Sequence, residues 1–90
     1  MYVKRLVIDA VKPVGEYSII DLATDMSRHV KDGAVSIKVE EVDIRTEGLK
    51  ITLEGRKIDF IGIQKAMKER GAVINSLDEV SVSADGKRAD

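Results

Sequence analysis

Cysteine and tryptophan are absent, proline and histidine occur once each, and aromatic residues make up only 3% of the 90-residue chain. Without cysteine there is no disulfide, no thiolate metal centre and no thiol nucleophile, so stability has to come from packing and association. Charge of one sign is missing too: 15 Lys and Arg face 16 Asp and Glu, for a formal net charge of -1. A near balance gives no general field to attract nucleic acid or an anionic membrane surface, so neither is an expected partner. No apolar run approaches the ~18 residues of a membrane span. The opening Met1-Tyr2-Val3-Lys4-Arg5 enters a strand pattern with no apolar leader, which predicts a soluble, unprocessed, cytoplasmic chain. None of the seven glycines forms G-x-G-x-x-G or a Walker loop, which removes the phosphate cradles built on glycine spacing. The single histidine, His29, falls near the end of a predicted helix, where a cation suits the dipole and an exposed structural role is expected. A Ser-His-Asp relay has little to stand on, and no enzyme is expected.

What is present is a repeated change of apolar period. It is about two residues from Val3 to Val11, about 3.6 from Ile19 to Val30, and two again from Val35 to Val39. The cycle then recurs: Leu49, Ile51 and Leu53 alternate, Phe60, Ile63 and Met67 share a helical face, and a last strand runs from Ala72. This order predicts an α+β, ferredoxin-like βαββαβ fold, with a four-stranded antiparallel sheet carrying two helices on one face. One domain is expected over residues 1–83, with a disordered tail at 84–90 where no apolar anchor follows Asp85-Gly86. The predicted core is Leu6, Ile8, Leu22, Met26, Val35, Ile37, Val39, Ile51, Leu53, Phe60, Ile63 and Met67.

Local signals place the ends of these elements. Ser18 reads as an N-cap with Asp21 as its capping-box partner, and Tyr17 can staple to Leu22. Asp59 caps the second helix, with Ile58 stapling to Ile63. The tripeptide Gly-Ala-Val stands at 33–35 and again at 71–73, so Gly33 and Gly71 are both expected to end helices in the left-handed conformation. Gly62 lies inside a helix at a cost of roughly 1 kcal/mol relative to Ala, which predicts a close contact there. The hairpin loop Asp43-Ile44-Arg45-Thr46-Glu47-Gly48 should need positive φ at Gly48. In the last strand the apolar residues alternate imperfectly, so a bulge or two-sided burial is required.

The predicted open face of the sheet carries Arg5, Val7 and Asp9 beside Lys50, Thr52 and Glu54. It offers no aromatic platform for stacking RNA bases. Adjacent, parallel first and third strands would bring Asp9 and Glu54 to one end of the sheet, with Asn75, Asp78 and Glu79 entering nearby. Oxygen donors without thiolate or imidazole suit a hard cation of the calcium class, so Asp9, Glu54 and Asp78 are the candidate metal ligands. Salt bridging with Arg5, Lys12 or Arg56 would neutralise the same carboxylates. The turn Lys12-Pro13-Val14-Gly15-Glu16 resembles the ACT-domain turn that receives an amino acid between paired subunits, although Val14 separates Pro from Gly. Acylphosphatases share the fold but use an Arg in this loop, which this chain lacks. Val7, Val73 and Leu77 should lie on faces two helices cannot both cover, which predicts a homo-oligomer.

Four segments together resemble the mostly archaeal family called domain of unknown function 211: residues 5–13, Glu41-Val42-Asp43 with Glu47, Lys50-Ile51-Thr52-Leu53-Glu54-Gly55, and Asn75-Ser76-Leu77-Asp78-Glu79-Val80. The likeness covers residues 4–83. It implies a ferredoxin-like fold, self-assembly into a closed ring and bound calcium, with no established activity. Asn75 stands where the family often has His, and Ser36 where Asn is frequent. The functional expectation is a homo-oligomeric binding or assembly module that takes up Ca2+, the alternative being an ACT-like amino-acid sensor.

Overall fold

The computed structural model of the chain describes residues 1–84. The elements are β1 (Tyr2–Pro13), α1 (Ile19–Ser27), β2 (Val30–Lys31), β3 (Ala34–Val42), β4 (Thr46–Glu54), β5 (Lys57–Ile58), α2 (Phe60–Glu69) and β6 (Val73–Ser83). The long strands form one sheet in the order β3-β4-β1-β6, and every neighbouring pair is antiparallel. Together with α1 and α2 this is the expected ferredoxin-like arrangement. The short strands β2 and β5 add a two-residue ribbon that the apolar pattern did not announce. The expected tail lies, beyond Ala84, outside the described residues. Among the described residues no helix is long and apolar enough to cross a membrane.

Both helix starts follow from their caps. The Ser18 hydroxyl accepts from the N–H groups of Ile20 at 3.1 Å and Asp21 at 3.3 Å, while the Asp21 carboxylate accepts from the Ser18 N–H at 3.1 Å. That is the reciprocal capping box. Asp59 accepts from the Gly62 N–H at 3.1 Å. The helix ends differ. At the end of α2, Gly71 takes φ +76° and donates to the Lys68 carbonyl at 3.0 Å, and the Ala72 N–H reaches the Met67 carbonyl at 2.9 Å. This is a Schellman motif, which a left-handed glycine makes possible.

Gly33 does not do the same for α1. That helix stops at Ser27, and the positive φ belongs to Asp32, at 50°. Gly33 is needed for space: a Cβ there would run into the carbonyl oxygen of Glu54. Gly48 also departs from expectation, since it has no positive φ and lies within β4, opposite Glu41 at a bulge in β3. Gly62 meets its expectation, because a Cβ on it would strike the His29 imidazole.

The core occupies the helix side of the sheet. Leu6, Ile8, Leu22, Met26, Ile51, Leu53, Ile63 and Met67 are buried as predicted, and Val35, Ile37, Val39 and Phe60 are half-buried against them. Ala10, Leu49, Ile58, Ala66 and Ala72 complete the cluster. Each fully buried Leu, Ile or Met contributes roughly 1.5–3 kcal/mol over an exposed one.

Candidate functional site

The direction of β4 decides the fate of the predicted metal ligands. Strand β3 returns parallel to β1 after the α1 crossover, and the hairpin from β3 reverses the chain, so β4 must run antiparallel to β1. Arg5 therefore pairs with Glu54, and Asp9 with Lys50. The expected parallel alignment of Asp9 with Glu54 is corrected: four residues of strand, about 13 Å at ~3.3 Å each, separate their positions. Glu54 and Glu79 instead both hold Arg5, at 2.9 and 2.6 Å. These hydrogen bonds, that of Glu79 foremost, raise the guanidinium pKa further above its ordinary value. Asp78 accepts from the Ser76 hydroxyl at 2.7 Å. Among the described residues no three His, Cys, Asp or Glu side chains are grouped to hold a metal ion. Asp9 borders a notch of about 120 Å³ that also touches Glu40, Glu41, Gly48 and Asn75.

Lys12 was not singled out as a core residue, yet it is only 2% exposed. Positions 6, 8 and 10 of β1 face the helices, and continuing that alternation puts Lys12 on the same side, a signal the sequence does carry. Its ammonium pairs with Glu47 at 3.0 Å, donates to the Pro13 carbonyl at 2.8 Å and sits 4.9 Å from the centre of the Tyr17 ring. The Arg70 guanidinium lies 5.2 Å from the same ring and donates to Asp25 at 2.7 Å. Two cations on one aromatic face or edge fix the chain where β1 turns into α1. Burial pushes the Tyr17 phenol up in pKa, and its hydroxyl has no hydrogen-bond partner among the described residues. The neighbouring turn is exposed at Val14, Gly15 and Glu16, with Gly15 at φ +96°.

Strand β6 carries the surface feature that most needs an explanation. Its pairing with β1 slips three times, leaving Asp78 and Asn75 as extra residues in β6 and Lys4 as an extra residue in β1. Directly opposed residues on neighbouring strands share a face, so Ile74 goes with Ala10, Leu77 with Ile8, Val80 with Leu6 and Val82 with Val3. The bulges therefore bring four apolar side chains onto the helix side, although their spacing in sequence is three, three and two. Ile74 packs against the core, but the other three are left uncovered: Leu77 is 45% exposed, Val80 54% and Val82 48%. Val73, on the open face opposite Val11, is also exposed, whereas Val7 is buried there.

His29 sits just beyond α1 with its ring against Gly62 in the first turn of α2. Its Nδ1 is 3.7 Å from the Asp59 carboxylate, and its carbonyl accepts from the Asp59 N–H at 2.9 Å. This agrees with a structural role, half-buried where full exposure was expected.

Two comparisons bear on what this architecture belongs to. A protein of Methanocaldococcus jannaschii that is itself named as uncharacterised is 38% identical over 78 residues, covering 87% of this chain and 79% of that protein. The model of the DUF211 family, described as uncharacterised ArCR, matches residues 4–87. Nearly the whole chain is accounted for by that match, and the chain belongs to the DUF211 family.

Proposed function

We propose that the protein is a non-enzymatic, self-assembling module whose copies join along β6. The observation that carries this reading is the row Leu77, Val80 and Val82, about half exposed on an edge strand. An edge strand offers unpaired backbone groups as well as side chains, and soluble chains normally blunt such edges with charge. The opposite edge, β3, is blunted in that way, with exposed Ser36, Lys38 and Glu40. Strand β6 keeps its apolar row, and a 90-residue chain with a small core gains from covering it. The row set against a different surface of the next copy generates a ring when the rotation closes, which is the form the family resemblance implied; set against itself it generates a dimer.

A cation is not part of this reading, because Glu54 is engaged by Arg5 and stands apart from Asp9. The amino-acid-sensor alternative depends on the turn after β1, where Lys12, its one cation, is already held by Glu47 and the Pro13 carbonyl. Sedimentation equilibrium at micromolar concentration is expected to give a multiple of 9.9 kDa. The double variant Leu77→Lys, Val80→Lys should return the mass to a single subunit with unchanged far-ultraviolet dichroism. A wild-type mass of one subunit throughout that range sinks the proposal. A rise in melting temperature with free amino acids would favour the sensor instead.

A further inference from the structure

The ribbon formed by β2 and β5 sets Lys31 directly opposite Lys57. The companion pair, Val30 and Ile58, packs into the core, so alternation turns both lysines outward on the other face. Like charges directly opposed across a strand pair are destabilising, and a ribbon of two residues has little else to offset them. No carboxylate among the described residues pairs with either lysine. Lys57 rests its ammonium 4.8 Å from the centre of the Tyr2 ring.

Arg28 and His29, from the end of α1, extend the same rim, and the side chains enclose an open groove of about 370 Å³ completed by Val30 and Asp59. Arg28 is held only loosely, 3.6 Å from Asp25 with a largely exposed side chain. Asp59 is the single acid of the lining and is already engaged, capping α2 through the Gly62 N–H and facing His29. In a chain of net charge -1, three permanent cations and an imidazole around one groove are a local excess that the overall composition does not require.

We propose that this groove binds a small phosphorylated ligand, with the phosphoryl oxygens between Lys31 and Lys57 and with Arg28 and His29 at its side. A phosphoryl group fits better than a carboxylate because it carries more charge and more acceptor oxygens, enough for several separate donors at once. The size suits a metabolite, since the volume falls at the low end of small-molecule pockets, roughly 300–1,000 Å³. A nucleic acid is disfavoured by the balanced overall charge and by the scarcity of aromatic residues for base stacking.

Isothermal titration of the full chain with inorganic pyrophosphate, and separately with sulfate, tests this. The expected result is saturable pyrophosphate binding in the millimolar range or tighter, several-fold stronger than sulfate and weakened by added salt. Lys31→Gln with Lys57→Gln should lower the affinity at least tenfold while leaving the melting temperature of the ligand-free protein equal or higher, because the repulsion is relieved. That second readout separates a lost site from a lost fold. Arg5→Gln, at the other charge cluster, should bind as the wild type does. No saturable heat at millimolar pyrophosphate, equal affinity for sulfate, or equal affinity in the double-lysine variant would each overturn the proposal.

Discussion

Strands β4 and β6 both pair with β1, one on each side, and both carry a row of aliphatic residues on the helix side of the sheet. In β4 that row, Leu49, Ile51 and Leu53, is wholly inaccessible; in β6 the row Leu77, Val80 and Val82 is about half exposed. Composition does not separate the two strands. Place does: β4 lies inside the sheet under the helix layer, and β6 is at its edge, where helices of nine and ten residues do not reach along an eleven-residue strand. An apolar row therefore measures what a strand could bury, and the surrounding layers determine how much of it the subunit buries by itself.

The sharpest way to break the comparison is to truncate one member of each row. Ile51→Ala should cost about 2–5 kcal/mol in urea unfolding, because it opens a cavity in a closed core. Val80→Ala should change the stability of the dilute subunit by less than ~0.5 kcal/mol, the range of surface substitutions, while lowering the assembled mass measured by sedimentation. Equal costs would mean the rows are equivalent and would remove the case for assembly.

Next in size is Gly33→Ala. The new methyl would meet backbone of Glu54 and Gly55 at the far end of β4, where neither side can swing away, so a loss of about 1–3 kcal/mol is expected from thermal unfolding. Gly62→Ala sharpens the point. It should gain up to roughly 1 kcal/mol of helix propensity but collide with the His29 ring and with the capping carboxylate of Asp59, so the single variant falls short of that gain and His29→Ala with Gly62→Ala recovers part of it. A single variant already showing the full gain would mean the imidazole moves freely.

Smaller still is the charge link that ties β1 to both neighbours. Glu54→Gln and Glu79→Gln should each change stability by at most ~1 kcal/mol, shrinking in high salt, since all three side chains are partly exposed. The smallest expected effect is the pH dependence of Asp25. The hydrogen bond from Arg70 holds its carboxyl below the ordinary carboxylate range. Its contribution is thus present above the ordinary carboxyl pKa and fades as pH falls through the lowered folded value. Melting curves in acid should show a shallower decline for Asp25→Asn than for the wild type.

Much of the fold was legible because it rests on local rules. Ser18 with Asp21, Asp59, and Gly71 act within a few residues of where they stand, so spacing alone announced them. The identical Gly-Ala-Val at 33–35 misled for the complementary reason: Gly33 answers to Glu54 and Gly55, distant in sequence, and not to the helix before it. The expected alignment of Asp9 with Glu54 failed at one step, strand direction, which set Asp9 opposite Lys50 and Glu54 opposite Arg5. Lys31 and Lys57 were invisible as a pair because a two-residue ribbon leaves no periodicity to detect.

The sequence by itself determined the order of elements, most of the core and both helix starts, since apolar period and capping are properties of neighbouring residues. Only the tertiary structure decided which partners faced each other. The antiparallel register gave Arg5 both glutamates, the bulges at Asn75 and Asp78 turned an irregular run into one apolar row, and the short helix layer left that row uncovered. Those outcomes depend on contacts between segments far apart in the chain, and a one-residue slip in register, which no local pattern records, would reverse every one of the faces involved.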